Sequence, residues 1–229
     1  MLTSLLAGYF RIEYGNFLEI QNRMISLRQV GKLGNSILYV HHDHVFTGGI
    51  RSSQNDVTDK TVKLIRVNRG GSVTYHGPGQ VNVYPVINIE EEGLILKSYM
   101  EILQKSVSFT LTSYGINSEN RLGDHLGTWV NGRKICSYGV AVQKGVTSHG
   151  LSLNVTTDMS FFGKIRPCGF EPAVMVSMGE LLPQPPNPEE VSRVLVARLM
   201  EYLHIINYIK IESVEELDQK IQKLMNDGL

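Results

Sequence analysis

The chain is poor in the features that mark several protein classes. It has two cysteines in 229 residues, Cys136 and Cys168, too few for a disulfide framework at this length. Neither sign of charge is in excess: Lys plus Arg and Asp plus Glu are both 22, so the formal net charge is zero with histidine neutral. A nucleic-acid binder carries a basic excess, and this balance argues against one. No stretch is long and apolar enough to span a bilayer, so no membrane partner is expected. The opening residues, MLTSLLAGYFRIEYG, have neither the basic start nor the long apolar run of a signal peptide, and Arg11 interrupts them early. A cytosolic protein with both thiols reduced is expected. There is no internal repeat.

What is present suits a packed enzyme-sized domain. Hydrophobic residues make up 42%, and the length fits one domain over 1–229. GNFLEIQNRMISLRQVG (15–31) has helical spacing, with Asn16 as its cap. SILYVHH (36–42), TVKLIRVNRG (61–70) and VNVYPVINI (81–89) read as strands. GLILKSYMEILQKSVSFTLTSYG (93–115) reads as a helix with a stripe of Leu96, Met100, Leu103, Val107 and Leu111, stopped by Gly115. TWVNGRKIC, SYGVAVQKG and SHGLSLNV follow as a run of hairpins, with an Asn-Gly turn at 131–132. After the break QPPNP (184–188), Asn187 caps a helix with Pro188 in its first turn and Glu190 closing a box. Ser213 and Glu216 form a second box before a terminal helix ending near Asn226. Helices and hairpins mixed without strict βαβ alternation predict an α+β fold.

One stretch asks for a function. RGGSVTYHGPGQ (69–80) holds four glycines between two expected strands. Glycine lets a ligand approach the backbone, and successive free amides can cradle an oxygen. Neither the Walker A nor the dinucleotide spacing is present. A long hairpin loop and a binding loop both remain open, with Arg69, Tyr75 and His76 favouring a site. Cys168, in KIRPCGF, stands in a Pro-Gly turn that would present its thiol; a buried structural cysteine is the other reading. Cys136, among apolar neighbours, reads as packing. Lys134 reads either as a solvated lysine or as an ammonium that lowers a thiol pKa. His42 and His44 of HHDH (41–44) would share a strand face, but no fourth ligand stands at convincing spacing, so the segment reads as a polar strand end and no metal is expected. His149 lines a pocket or satisfies a core hydrogen bond.

Four motifs in this order, RGGSVTYHGPGQ, RKICSYGVAV, SHGLSLNV and RPCGF, resemble the octanoyltransferase (lipoate-protein ligase B) family over about residues 40–170. HHDHVFTGG resembles the strand and turn that precede them. The resemblance implies an α+β core with a mixed β-sheet flanked by helices, as in biotin and lipoate ligases. It implies transfer of an octanoyl group from octanoyl-acyl carrier protein to a lysine of a lipoyl domain, on a 2-oxoacid dehydrogenase E2 subunit or the glycine-cleavage H protein, without a cofactor; the oligomeric state is open, with a monomer as the default expectation. By resemblance Cys168 carries the acyl group as a thioester and Lys134 lowers its pKa and assists proton transfer. The acyl pocket would be lined by Arg69, Gly70, Gly71, Ser72, Val73, Thr74, Tyr75 and His76, by Ser137, Tyr138 and Gly139, and by His149, Gly150, Leu151 and Ser152. Loop amides, His76 or His149 would stabilise the oxyanion. The family usually has an acidic residue where His41 stands and a proline where His44 stands, which bears on partner docking. Two rival readings remain: an ATP-dependent ligase of the same fold, and a non-catalytic module that binds lipoyl domains or acyl carrier protein.

Overall fold

The structure is a computed structural model and describes residues 2–167 and 171–227. The chain opens with β1 (Ser4–Arg11), α1 (Tyr14–Gln29), β2 (Ser36–His41), β3 (Val45–Gly48), β4 (Leu64–Arg66), β5 (Val73–His76) and β6 (Gln80–Val86). It continues through α2 (Leu96–Ser113), β7 (Glu119–Arg121), β8 (Gly127–Val130), β9 (Arg133–Gln143) and β10 (Val146–Asn154). It ends with α3 (Met178–Leu181), α4 (Pro188–Tyr202), β11 (Tyr208–Ile211) and α5 (Val214–Asn226). Eight strands form a mixed sheet in the order β11-β1-β2-β6-β10-β9-β8-β7, and a smaller sheet has the order β4-β3-β5. Only the β11-β1-β2 pairings of the large sheet are parallel. This is the expected α+β architecture.

Strand alternation divides the apolar residues between two layers. Ile37, Tyr39, Val83, Leu151 and Leu153 pack with Leu103, Val107 and Leu111 of α2 and Leu195 and Leu199 of α4. Leu38, Val40 and Val86 pack with Phe17 and Met24 of α1 and Leu217 and Ile221 of α5. A third, smaller cluster of Phe46, Val73, Tyr75, Phe162, Ile165 and Met175 lies under the small sheet.

Several local readings are corrected. Residues 61–70 are not one strand: only Leu64–Arg66 pairs, at the edge of the small sheet. Asp59 accepts from the Thr61 amide and hydroxyl at 2.9 and 2.7 Å and turns the chain at the front of this segment. The glycine stretch does not join neighbouring strands either, because Val73–His76 inside it is itself a strand, paired with β3. RKIC and SYGVAVQ are one continuous strand, β9. The Asn131-Gly132 and Lys144-Gly145 turns on either side of it all have positive φ, as tight hairpins require. Glu13, not Asn16, caps α1, accepting from the Asn16 amide at 2.9 Å. Asn187 does cap α4, but its bond comes from the Glu189 amide. Ser213 Oγ accepts from the Glu216 amide, while the Glu216 carboxylate reaches the Glu212 amide rather than closing the box. Leu96 lies on the expected apolar stripe of α2 yet is 49% exposed.

Candidate active site

A slot runs between the small sheet and the central strands of the large one. On the large sheet, Ser152 pairs with Asn82 on one side and Ser137 on the other, giving a polar row across three strands. Next to it Gly150 pairs with Gly139, a stretch of surface with no side chains. On the small sheet β5 alternates, so Thr74 and His76 face the slot while Val73 and Tyr75 enter the apolar cluster behind. The slot measures about 30 Å³ and is lined by Arg69, Gly71, Thr74, His76, Ser137, Tyr138, Gly139, His149, Gly150 and Ser152, with Tyr14 and Tyr84 added. Three segments far apart in sequence therefore meet at one place.

Five of the predicted lining residues lie elsewhere. Gly70 donates its amide to the Val140 carbonyl at 3.1 Å. Ser72 donates its hydroxyl to Asp56 at 2.5 Å. Val73 packs in the small cluster. Leu151 points to the α2 layer. Tyr75, expected to shape the polar end, shares a hydrogen bond between its hydroxyl and His44 Nδ1 at 2.7 Å and stacks on Phe161. The reason is the two-residue period of a strand that the sequence reading took for a loop. His44 also stacks on Phe161, and His41 on Tyr9, so neither departure from the family pattern reaches the slot.

Buried polar groups give the slot its electrostatics. Arg69 is buried and donates to the Thr47 carbonyl and hydroxyl, both at 2.9 Å. Burial, then the charges of His42 and Arg69, push the His76 imidazole down to about 3. Burial and then Arg69 push His149 down to about 4, and burial does the same to His42. All three rings are neutral at neutral pH. His76 Nδ1–H faces the oxygens of Gln80 and Asn82 at 2.9 and 3.0 Å, and His149 Nε2–H faces Asn68 Oδ1 at 2.9 Å. With those oxygens accepting, the ring protons sit on His76 Nδ1 and His149 Nε2, and His76 Nε2 and His149 Nδ1 are acceptors. In that tautomer the N–H of each ring points at its amide partner, and the loop amides remain as donors for an oxyanion. His149 also sits at φ +55°, an uncommon conformation for a non-glycine residue.

Gln80, Asn82, Asn154, Tyr14, Tyr84 and Thr47 were missed as site residues. Gln80 bonds the Tyr75 carbonyl and Asn154 as well as His76. A signal was present: Asn82 stands between two valines of a fully buried strand, and a polar residue there needs partners.

Lys134 is buried, 3% exposed. It sits on β9 three positions before Ser137, its Nζ 6.0 Å from the centre of the Trp129 ring. A methyl group at Gly127 would meet Lys134 Cε at 2.6 Å, so that glycine makes room for the lysine. Cys168 lies outside the described residues. The chain before it is anchored where Ile165 pairs with Val57, and the chain after it where Met175 pairs with Lys134. Cys136 is fully buried, and burial pushes its thiol up to about 12, which fits its reading as packing. Among the described residues no group of His, Cys, Asp or Glu is arranged to hold a metal ion, and no helix is long and apolar enough to cross a membrane.

Known proteins resemble this chain in sequence and in fold. A probable octanoyltransferase 2 of Picrophilus torridus is 38% identical over 185 residues, covering 81% of this chain and 73% of that protein. An octanoyltransferase of Syntrophobacter fumaroxidans is 33% identical over 223 residues, covering 94% and 95%. A crystal structure of lipoate-protein ligase A bound with ATP superposes with a TM-score of 0.75 over 99% of this chain and 95% of that one, at 16% identity, a likeness of fold alone. Residues 13–200 match the lipoyl protein ligase A/B catalytic domain, and they contain every wall of the slot; the chain belongs to that family.

Proposed function

We propose that this protein is an acyltransferase that moves an octanoyl group from octanoyl-acyl carrier protein to a lysine of a lipoyl domain, through a thioester on Cys168. The observation that carries the reading is the meeting of three separate motif segments at one slot, with an amine buried further along the same strand, in a chain whose relatives over most of its length are named octanoyltransferases.

In the first step the Cys168 thiolate attacks the octanoyl carbonyl carbon. A new C–S bond forms, the C–S bond to the pantetheine arm breaks, and the arm leaves as a thiolate that takes up a proton. One thioester replaces another, so no ATP is needed. In the second step the neutral ε-amine of the acceptor lysine attacks the acyl-enzyme. An amide C–N bond forms and the bond to Cys168 breaks. The amine's surplus proton passes to Lys134 in its neutral form or to the departing thiolate. A lysine amine has an ordinary pKa of about 10.4, so a nearby proton acceptor decides the rate of this step. The neutral histidines keep further charge out of the slot, and the Gly139–Gly150 surface lets an acyl chain lie against the backbone. The slot at about 30 Å³ has room for little more than water, so acyl binding widens it.

Lipoyl domains of 2-oxoacid dehydrogenase E2 subunits and the glycine-cleavage H protein are the proposed acceptors. The test is transfer from octanoyl-acyl carrier protein to an apo lipoyl domain without nucleotide. Transfer that instead needs octanoate and magnesium-ATP assigns the chain to the ligases.

A further inference from the structure

The slot has a polar far end that the proposed chemistry leaves unused. Lys134 marks the near end. Its Cε lies against Gly127, and Gly127 precedes Thr128, the register partner of Cys136, so the lysine side chain runs along β9 toward the level of Ser137. His149 marks the far end, where it pairs with Val140. Ser137 and Val140 are three steps apart on one continuous strand, about 10 Å at roughly 3.3 Å a step. An extended eight-carbon acyl chain measures about 9 Å from carbonyl carbon to methyl, and two more carbons add about 2.5 Å, from staggered carbon–carbon bonds of about 1.5 Å.

His149 is built into that far end. Leu151 and Leu153 turn to the α2 layer, and a regular strand would send His149 after them. At φ +55° it breaks the alternation and lines the slot instead. The ring is buried, and its Nε2 bonds Asn68, which is exposed, so the ring stands between the slot and the surface. Buried Gln21 of α1 backs it, with Oε1 accepting from the His149 amide at 3.3 Å. His149 Nδ1 and Gln21 Nε2 have no hydrogen-bond partner among the described residues. An acyl carbon pressed against them keeps both atoms unpaired, so this end resists a longer chain. His149 belongs to the large sheet and Gln21 to the helix packed on it, so widening of the slot by the small sheet leaves them in place. We propose that His149, held by Asn68 and Gln21, ends the slot at the length of an octanoyl chain. This rests on the acyl chain's proposed place in the slot and names the residue that limits its length.

The test is a chain-length series on the whole protein: hexanoyl, octanoyl, decanoyl and dodecanoyl groups on acyl carrier protein, each with an apo lipoyl domain. The readout is the kcat/KM ratio of decanoyl to octanoyl transfer. In the wild type it should be about one tenth or less, the size of a misfit of two methylenes. His149→Gly accepts the positive φ and removes the ring, and should raise the ratio about tenfold or more. Gln21→Leu removes the unpaired amide within a good helix former, and should raise it about threefold. Tyr99→Phe, which removes a buried hydroxyl on α2, is the control and should leave it unchanged. Each readout is a ratio on one preparation, so a change in folded fraction cancels. A wild type that uses decanoyl as well as octanoyl, a ratio that His149→Gly does not move, or a Tyr99→Phe variant that moves it as far, overturns the proposal. If no carrier-bound acyl group is used and free acid with ATP is required, the transferase reading fails on its own. The same ratio, taken with the free acids, then decides whether His149 is the stop.

Discussion

At the scale of single residues, the buried histidines couple the site to pH. The unfolded rings titrate near 6.5, while the folded ones are held at about 4 for His42 and His149 and about 3 for His76. Below 6.5 the unfolded chain binds protons that the folded chain refuses. Stability is therefore full above that pH and is lost as pH falls toward the folded values. Each ring contributes up to about 1.4 kcal/mol per pH unit within its window. Denaturant unfolding should show a loss on the order of 2 kcal/mol per histidine between pH 6.5 and 5; a flat profile there contradicts the buried neutral rings. Lys134 makes a kinetic prediction. Replacing it by Met keeps its apolar stem and removes the amine proposed as proton acceptor, so octanoyl transfer should fall roughly 10²- to 10⁴-fold, measured by mass shift of the lipoyl domain. Near-normal transfer would leave Lys134 a packing residue. Arg69, Thr74, His76 and Lys134 were legible as candidates from residue type and motif. Tyr75 was legible as a candidate but not in direction, because that depends on a strand not apparent among glycines.

At the scale of elements, the glycines of the site separate folding from function. A methyl group at Gly150 would lie 2.0 Å from the Val83 carbonyl oxygen, backbone that cannot move without breaking the β6–β10 pairing. Gly150→Ala should cost on the order of 3 kcal/mol or more, read by denaturant unfolding. A methyl group at Gly127 meets the end of Lys134 first, at 2.6 Å, and Trp129 Nε1 and the Cys136 carbonyl oxygen less closely, at 3.0 and 3.1 Å, while one at Gly139 meets Arg69 Cδ at 2.7 Å. Gly127→Ala should stay folded while losing transfer rate, because the lysine is displaced. If Gly127→Ala retains full activity, the position of Lys134 is not critical. The elements themselves were unevenly readable. The middle of α2 and the hairpin at Asn131-Gly132 announce themselves by helical period and turn chemistry. β5 does not, since four residues flanked by glycines carry little period to read. β1 and β11 also escaped, because their place is fixed by pairing between distant parts of the chain, Ser4 with Tyr208 for example.

At the scale of the whole molecule, two apolar layers enclose the large sheet, while the small sheet that closes the slot rests on a cluster of its own. The small sheet should open more readily than the large one. Hydrogen exchange should be faster at the Thr74 and His76 amides than at Val83 and Leu151; equal protection would mean that the slot opens only by global unfolding. The α+β class was readable from the mixture of helices and hairpins. The way the small sheet closes on the large one was not, since no local pattern records which distant strands face each other. The central claim concerns Cys168. Intact-protein mass spectrometry after mixing the protein with octanoyl-acyl carrier protein tests it most directly, with Cys168→Ser and Cys136→Ser alongside. The account predicts an octanoyl adduct that hydroxylamine releases, that persists in Cys136→Ser, and that is absent or hydroxylamine-resistant in Cys168→Ser. No adduct on the wild type, together with transfer that requires octanoate and ATP, would contradict it.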